Sequence, residues 1–390
     1  MKLLIYSHFF APSVGGVETI VLELAKGLAE SYSANGSPEF DITLITQTPP
    51  EDFRDAQLPF PVIRQPSSAE LRRLIRQADI IHIAGAAIPP IVWGIVSRKP
   101  VVVEHHGFQT ICPTGQLILE PEVVPCPGHF MAGHHRYCLR CRGHSSRRVS
   151  FRLWLLTFLR RFLSQLVAVN ITPTDWLAQQ LQLPRSQTVL HGLAASEVLV
   201  RISGGQGVRV VGFLGRLVTS KGVRILLDAA RILKKEHRQF ELLIAGDGPE
   251  RASLESYAAE LSIGEQVRFL GRLSQSQLDE TLARIDILVA PSLGGEVFGM
   301  VVVEGMLRGL GVVASDLGSF VEVLGDCGKT FKTGSARDLA NCLAQLLDNP
   351  AASHTLGLAA RQRALDFFSL RRMIEGHARI YRSLANEKAH

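Results

Sequence analysis

The sequence predicts an α/β protein with parallel β-sheets. Short apolar runs of β character alternate with helical patterns along the whole 390-residue chain. The alternation pauses at a Ser-Gly-Gly-Gln-Gly segment, 203–207, which has the composition of a linker, and then starts afresh. The chain is long enough for two domains, each with its own core. We therefore expect two Rossmann-like domains facing across a cleft, with ligands at the carboxyl ends of the strands.

The predicted elements follow in order along the chain. In the first half, strands are expected near 2–6, 41–46, 80–84, 101–105, 167–172 and 187–190, and helices near 16–33, 69–77, 147–164 and 175–181. In the second half, strands are expected near 208–215, 240–245, 266–270, 285–290 and 311–315. The stretch 286–316 is typical of one right-handed unit of strand, glycine-rich turn, helix and strand.

Composition excludes several classes of protein. Hydrophobic residues make up 46% and charged residues 20%, which is a globular composition. The net charge of +6 divides into about +3 on each side of residue 200, so no basic stripe predicts nucleic-acid binding. No window approaches about 18 consecutive apolar residues, and the first apolar run is too short for a signal peptide. Six cysteines do not indicate a disulfide scaffold, and we expect a cytoplasmic protein.

Two glutamates flank the start of the helix in the 286–316 unit. Glu296 lies in the turn before this helix, and Glu304 follows eight residues later among apolar neighbours. At 1.5 Å of rise per residue, the two carboxylates would stand roughly 12 Å apart. Between them lie the free N–H groups of the helix start, which form an anion site. A buried carboxylate needs a partner, so Glu304 is a poor candidate for a chance polar residue.

A second cationic feature opens the second series of strands. Gly215 and Arg216 follow a strand end, and Lys221 comes five residues after Arg216. A guanidinium fork and an ammonium point charge on one anion would make a diphosphate clamp. The alternative is a pair of solvated surface cations. The phosphate-binding pattern Gly-x4-Gly-Lys-Ser/Thr is missing.

Two strand ends of the first half also carry candidate binding residues. Gly15 and Gly16 precede a helix and would let a ligand approach the backbone closely. Glu18 is either a first-turn charge of that helix or a polar group near a substrate. His105 and His106 end a buried strand, where a histidine can hydrogen-bond a sugar hydroxyl or a diphosphate. Spacing alone leaves the choice between these two histidines open.

The spacing Glu-x7-Glu followed by Ala-Ser-Asp at a strand end resembles the donor site of retaining glycosyltransferases of family 4. The resemblance extends over nearly the whole chain and is strongest over 208–316. It implies a GT-B fold, with an acceptor-side domain at 1–200, completed by the C-terminal helix 370–390, and a donor-binding domain at 201–369. The chain departs from the family pattern at His191-Gly192, where Asn-Gly is frequent.

The resemblance also implies roles for individual residues. Glu296 would hold hydroxyls of the donor sugar, and Glu304 the ribose diol. Arg216 and Lys221 would bind the diphosphate and stabilise the leaving nucleotide, while His106 would contact the substrate. The remaining donor contacts implied by the resemblance are Gly15, Gly16, Gly215, Gly271, Arg272, Leu273, Phe298, Gly299, Met300 and Val301.

The mechanism implied by the resemblance is transfer of a hexose from a nucleotide diphosphate sugar, with retention at the anomeric carbon. UDP-sugars are the first expectation and GDP-mannose the second, with a glycan or lipid-linked acceptor. No Asp-x-Asp occurs, so no metal or other cofactor is expected for catalysis. Two alternatives stay open: a catalytically silent partner subunit that binds a nucleotide sugar, and a GT-B sugar-nucleotide epimerase or phosphorylase.

Four cysteines of the first half lie within 30 residues and are interleaved with histidines. Cys138 and Cys141 have the short spacing that places two thiolates on one tetrahedral ion, and Cys112 and Cys126 precede them. We expect these four residues to bind a structural zinc ion. The alternative is a set of unrelated buried or free thiols.

A basic and apolar stretch follows the cysteines. Residues 123–174 include no acidic residue, and eight arginines lie between Arg136 and Arg161. The segment 136–162 would suit an interfacial helix at an anionic membrane, which would place the protein at the inner face of that membrane. The alternative is a core helix of the first domain with solvated arginine ends.

Overall fold

The computed structural model describes residues 1–13, 15–32, 36–141, 146–195 and 208–387. The chain forms two compact units, of which the first comprises Met1–Gln116, Gly128–Ala194 and Phe368–His390. The second unit comprises Leu117–Pro127 and Ala195–Phe367. The predicted linker 203–207 and the expected boundary at residue 200 lie outside the described residues.

The strands are numbered in chain order over the described residues. They are β1 (Lys2–Ser7), β2 (Asp41–Thr46), β3 (Val62–Arg64), β4 (Ile80–Ala84), β5 (Val101–Glu104), β6 (Ile118–Leu119), β7 (Val124–Pro125), β8 (Val169–Thr172), β9 (Ser186–Thr188), β10 (Arg209–Leu214), β11 (Phe240–Ala245), β12 (Val267–Gly271), β13 (Ile287–Ala290), β14 (Gly311–Ser315) and β15 (Lys329–Phe331).

The α-helices are numbered in the same way. They are α1 (Gly16–Ala29), α2 (Ser68–Gln77), α3 (Ile88–Val96), α4 (His135–Arg140), α5 (Arg147–Leu166), α6 (Asp175–Leu181), α7 (Val223–Lys235), α8 (Arg251–Glu260), α9 (Gln275–Arg284), α10 (Met300–Leu307), α11 (Gly318–Leu324), α12 (Ala336–Asp348), α13 (Pro350–Phe367) and α14 (Leu370–Glu387).

Each unit is built on one parallel sheet, so the predicted α/β fold with two Rossmann-like domains is confirmed. The first sheet has the order β3-β2-β1-β4-β5-β8-β9 and the second β12-β11-β10-β13-β14-β15. In both sheets the strand order reverses beside the first strand, which is where Rossmann folds bind ligands. The central strands are almost entirely buried, as expected for parallel sheets covered by helices on both faces.

The predicted strands and helices all overlap observed elements, but several further elements of the described residues, including most helices of the second unit, were not predicted. Helix α3 was not predicted because two prolines lie near its start, although its first turn tolerates proline. The three-residue edge strands β3 and β15 are too short to show a period. The β6–β7 pair is separate from both parallel sheets and groups with the second unit, whereas the expected first domain was continuous.

Helix α14 packs within the first unit, although it is the last described element of the chain. A Cβ atom added at Gly27 of α1 would lie 2.0 Å from Ile374 Cδ1, so glycine permits the close approach of α1 and α14. Arg382 donates two hydrogen bonds to the Glu39 carboxylate, at 2.6 and 2.9 Å. These contacts attach the C-terminal segment to the first sheet.

Candidate active site

The candidate site of the second unit lies at the carboxyl ends of β10 and β13, which are parallel neighbours in the sheet. The loops that follow these strands touch, because the Leu293 amide donates to the Ser220 carbonyl at 2.7 Å. Gly222 makes this approach possible. Its φ is +69°, and an added Cβ would lie 2.0 Å from the Pro291 carbonyl oxygen. No other residue fits there without a backbone shift.

Lys221 and Glu296 meet at this junction. Lys221 Nζ donates to Glu296 Oε1 at 2.5 Å, and Ser292 Oγ donates to the same oxygen at 2.8 Å. The Ser319 hydroxyl donates to the Glu296 carbonyl at 3.0 Å and so fixes the turn. The structure therefore brings together an ammonium and a carboxylate that are 75 residues apart in sequence. Arg216 begins the β10 loop and is exposed.

The start of α10 lies next to Glu296 in the chain. Gly299 has φ of +100°, and an added Cβ would lie 2.5 Å from the Phe320 ring, so this turn requires glycine. Phe298 is buried beneath the turn. The first amides of a helix have no acceptor within the helix, and those of Met300 and Val301 fall in this turn. The backbone of Met300 and Val301 thus offers amides next to Glu296 in the chain.

Glu304 lies one turn further along α10 and is only partly exposed. Burial raises the pKa of its carboxyl, the Arg308 guanidinium lowers it in part, and Asp279 adds to the rise. Arg308 cannot neutralise Glu304 fully because its Nη2 donates to Asp279 at 2.8 Å. The expectation that this carboxylate is largely buried is therefore met, and its partner is a shared arginine.

Three glycines align at the carboxyl ends of β10, β11 and β12. The Gly215 amide donates to the Ala245 carbonyl at 3.1 Å, and the Gly246 amide to the Gly271 carbonyl at 2.8 Å. An added Cβ at Gly246 would lie 1.8 Å from the Gly215 oxygen. Arg272 follows at the surface, and Leu273 packs against an apolar cluster of the second unit. These residues share the edge of the sheet that carries Lys221.

In the first unit, Gly15 and Gly16 form the start of α1. Gly15 is the N-cap residue in an extended conformation, and an added Cβ would lie 2.5 Å from Glu18 Oε2. The Glu18 side chain thus folds back over the first turn of the helix, where a carboxylate is stabilised by the helix dipole. This geometry favours a structural role for Glu18.

The structure distinguishes between the two adjacent histidines. His105 is buried, and its Nε2 is 2.9 Å from Asn170 Oδ1. Burial lowers the pKa of His105 to about 4, although the hydrogen bond to Asn170 raises it in part. His106 is the more accessible of the two, but its Nε2 points inward at Glu104 Oε2, 3.4 Å away. Nδ1 and the ring edge of His106 are left for a ligand.

Glu104 is the centre of a cluster that sequence reasoning missed. Its Oε2 lies 3.2 Å from His82 Nε2 and 3.4 Å from His106 Nε2, while its Oε1 lies 3.2 Å from His191 Nε2 and 3.4 Å from His377 Nε2. Burial alone would raise the Glu104 pKa, yet His106 and His377 hold it well below its usual value. The signals available in the sequence were the acidic residue in an apolar strand and the departure at His191.

Two family models match the chain over most of its length. The model described as "Glycosyl transferases group 1" matches residues 202–363, and that described as "Glycosyltransferase Family 4" matches residues 14–189. The chain belongs to the GT-B glycosyltransferases of group 1. The first match covers Lys221, Glu296 and Glu304, and the second covers His106.

Relatives of this glycosyltransferase chain include two bacterial enzymes. A 2-deoxystreptamine glucosyltransferase of Streptomyces kanamyceticus is 31% identical over 167 residues, which are 42% of this chain and 43% of the relative. A phosphatidyl-myo-inositol mannosyltransferase of Mycobacterium leprae is 40% identical over 144 residues, which are 36% of this chain and 38% of the relative. The matched segment thus spans about two fifths of the length of each relative.

Solved structures of glycosyltransferases share the fold. HepE of Anabaena, crystallised with UDP and glucose, superposes with a TM-score of 0.73 over 98% of this chain and 100% of that chain, at 19% identity. A glycosyltransferase from Rickettsia africae gives a TM-score of 0.71 at 17% identity, over 98% of each chain. At this identity the likeness concerns the fold alone.

The candidate metal ligands of the first unit include the four cysteines and a further group that the sequence did not predict. Among the described residues, the one group of His, Cys, Asp or Glu ligand atoms close enough for a metal ion is formed by Glu104, His106 and His191. Cys112, Cys126, Cys138 and Cys141 do not form such a group, although Cys112, Cys138 and Cys141 are buried. Zinc binding by these cysteines stays a prediction for metal analysis.

Helix α5 of the basic segment is buried on one side only. Its buried residues are Ser150, Thr157, Leu163 and Ser164, of which Leu163 joins an apolar cluster of the first unit. Large apolar side chains are exposed instead: Val149, Phe151, Leu155, Phe158, Leu159, Phe162 and Leu166. No helix among the described residues is long and apolar enough to cross a membrane.

Proposed function

We propose that this chain is a retaining hexosyltransferase that takes the sugar from a nucleotide diphosphate donor and passes it to a glycan or lipid-linked acceptor. The carrying observation is the Lys221–Glu296 pair, held at the strand switch point beside the start of α10. UDP-sugars are the first donors to test because HepE is described with UDP and glucose. GDP-mannose is second, since a relative is a mannosyltransferase.

The donor diphosphate would lie against the start of α10. Its negative charge fits the amides of Met300 and Val301, the positive end of the helix dipole and the ammonium of Lys221. Lys221 has three donors and uses one on Glu296, so it can bind a phosphate oxygen without losing that contact. Arg216, exposed at the same edge, would supply a second cation. Removing this charge from the leaving group is the main catalytic effect expected.

The two glutamates would select the parts of the donor on either side of the diphosphate. Glu296 has a second carboxylate oxygen to accept hydrogen bonds from sugar hydroxyls, while its first is occupied by Lys221 and Ser292. Glu304, one helical turn further on, would accept from the ribose diol. Gly271, Arg272 and Leu273 would meet the base through backbone and apolar contacts. In the first unit, His106 and the Gly15-Gly16 turn would contact the substrate.

Retention would follow from attack on the same face that the leaving group departs from. The bond from the anomeric carbon to the phosphate oxygen breaks as the bond to the acceptor oxygen forms, and the acceptor proton passes to that phosphate oxygen. The mechanism needs neither a carboxylate pair nor a cofactor, which agrees with the missing Asp-x-Asp sequence. Glu296 already serves as a hydrogen-bond acceptor and is not needed as a nucleophile.

Helix α5 would hold the enzyme on an anionic membrane surface at its cytoplasmic face. The exposed Phe151, Leu155 and Phe162 recur at helical spacing, and Arg147 and Arg152 are exposed on the same helix. Apolar groups that enter the lipid and cations that meet its headgroups characterise interfacial helices. A membrane position suits a lipid-linked acceptor.

The donor assignment is tested by titrating the full chain with UDP-, GDP-, ADP- and dTDP-sugars, using thermal shift and calorimetry. Transfer to extracted lipid and glycan acceptors is then measured with the best donor, and NMR of the product gives the anomeric configuration. Donor binding without transfer or hydrolysis would favour the silent-subunit alternative. A changed free sugar nucleotide without acceptor would favour an epimerase, and an inverted product would exclude retention.

The membrane assignment is tested by sedimentation with vesicles of phosphatidylglycerol or phosphatidylcholine. The double variant Phe151→Ser, Phe162→Ser should lose binding to the anionic vesicles, while Leu358→Ser keeps it. Leu358 is the matched control because it is equally exposed, at 54%, but lies on α13. Equal binding by all three proteins would contradict the role of α5.

A further inference from the structure

We propose that Glu104, His106 and His191 bind a divalent transition-metal ion, with zinc as the first candidate. The site lies in the first unit, at the carboxyl end of β5, and includes His106, which the proposed function also places at the substrate. The proposed transfer reaction does not require this ion, so the inference stands independently of it.

The spacing of the ligand atoms fits a metal site. One atom from each of the three residues lies within 4.8 Å of the other two. His191 Nε2 is 3.2 Å from Glu104 Oε1, and His106 Nε2 is 3.4 Å from Glu104 Oε2. Zinc bonds of about 2.0–2.2 Å in tetrahedral geometry place neighbouring ligand atoms roughly 3.3–3.6 Å apart. The two histidines approach different oxygens of the carboxylate, and the contact of His191 with Glu104 Oε1 is also a hydrogen bond.

Buried polar atoms at this point lack hydrogen bonds. Four buried atoms of the cluster have no hydrogen-bond partner among the described residues: His82 Nε2, His377 Nε2, Glu104 Oε2 and His106 Nε2. The last two belong to proposed ligands. An unsatisfied carboxylate oxygen in the core is costly, and each such atom requires an explanation. A cation between the carboxylate and the two imidazoles would satisfy both atoms at once.

Two further histidines contact the Glu104 carboxylate. His82 approaches Oε2 and His377 approaches Oε1, and each has its other ring nitrogen fixed. His377 Nδ1 donates to the Met373 carbonyl at 2.9 Å, and His82 Nδ1 is 2.9 Å from the Tyr381 hydroxyl. Such second partners orient the ligands of metal sites and raise affinity. Helix α14 thereby supports the site from the far end of the chain.

The donor set and the accessibility indicate the class of ion. Two imidazoles and one carboxylate suit zinc and other first-row divalent ions, and three protein ligands leave a position for water or a substrate oxygen. The His106 and His191 side chains are 5% and 4% exposed, whereas His82 and His377 are fully buried. The open position would therefore lie on the side of His106 and His191.

The experiment must separate this site from the cysteines. Full-length protein is stripped with a chelator and titrated with Zn²⁺ by calorimetry, and with Co²⁺ by visible and near-ultraviolet spectroscopy. Nitrogen and oxygen ligands give Co²⁺ visible d–d bands without the near-ultraviolet charge-transfer band of thiolate ligands. The spectrum of the wild-type protein therefore distinguishes this site from the cysteines. The Cys138→Ser, Cys141→Ser variant provides a second check. We expect one equivalent with the nitrogen–oxygen signature in both proteins.

Matched variants identify the ligands. His191→Asn introduces the residue that is frequent in the family at this position. It should weaken metal binding by more than about 100-fold, because loss of a residue that only supports a ligand already weakens binding by about 10–100-fold. Tyr381→Phe is the control, because it removes a hydroxyl that reaches the proposed ligand Glu104 only through His82. This variant should weaken metal binding less than His191→Asn does. Circular dichroism confirms that each variant is folded. No binding by the wild type, a purely thiolate signature, or undiminished binding in His191→Asn would overturn the proposal, and the cluster would then hold protons only.

Discussion

Replacement of Lys221 by alanine should separate catalysis from stability. The Lys221 and Glu296 side chains are 31% and 12% exposed, so solvent screens their attraction. After this discount the pair contributes about 1 kcal/mol or less to folding. A loss of that size lowers the Tm by about 2–4 °C for a unit of this length. Glu296 keeps its hydrogen bond from Ser292 at 2.8 Å, which limits the cost of leaving it without the lysine.

The expected loss of activity in Lys221→Ala is much larger. A preorganised donor aimed at charge that develops in the transition state is worth about 10²–10³ in rate. We therefore expect kcat/KM to fall at least about 100-fold, measured by radiolabel transfer from the donor found in the ligand panel. Calorimetry should show weaker binding of the free nucleoside diphosphate, because the lysine also contacts the ground state.

Lys234→Ala is the matched control for this prediction. Lys234 is a lysine on α7 of the same unit whose Nζ donates to the Ser262 carbonyl, and it lies near the end of α7 away from Lys221. This variant should retain full transfer. If Lys221→Ala keeps kcat/KM within about tenfold of the parent, or about 1.4 kcal/mol of transition-state stabilisation, the diphosphate clamp is refuted. An activity loss that parallels unfolding would refute it equally.

Three further predictions concern charge and backbone. Glu304→Gln should be more stable than the parent at pH 7, and the difference should vanish at acid pH. Burial raises the pKa of the Glu304 carboxyl above its ordinary 4.5, so the ionised carboxylate destabilises the parent as the pH rises above that value. Denaturant unfolding at a series of pH values measures this difference. Gly222→Ala should lower the free energy of unfolding by at least about 2 kcal/mol, because φ of residue 222 is +69° and the alanine Cβ would meet the Pro291 carbonyl oxygen. Donor affinity should fall as well. Equal Tm values for variant and parent would contradict this prediction. Arg382→Ala should lower the free energy of unfolding by about 1 kcal/mol or less, because the ion pair of Arg382 with Glu39 is partly exposed. This loss of stability should be smaller at high salt, and the variant should keep the donor affinity of the parent.

Local patterns in the sequence predict the local structure around Glu296 and Glu304 because these residues lie close together in the chain. The Glu296–Glu304 spacing spans a turn and one helix, and the observed helix begins at Met300 as the pattern requires. The pairing of Lys221 with Glu296 was not predicted, because it depends on two loops meeting through Gly222. Sequence reasoning assigned both residues to ligand binding and did not predict that they form an ion pair with each other.

The first unit shows where sequence reasoning stops. Glu104 gathers histidines from β4, from the segments after β5 and β9, and from α14, at separations in sequence that no local pattern connects. The short spacing of Cys138 and Cys141 likewise indicates only one pair of ligands, so the four-cysteine zinc site stays a prediction.

The sequence by itself determined the α/β fold, most strand positions and the residues around the start of α10, because hydrophobic period and glycine turns are local properties of the chain. Only the tertiary structure decided that Lys221 pairs with Glu296, that the large apolar side chains of α5 face outward, and that four histidines surround Glu104. These features depend on which strand ends are neighbours and on where α14 packs, and such long-range contacts are set by the packing of the whole unit.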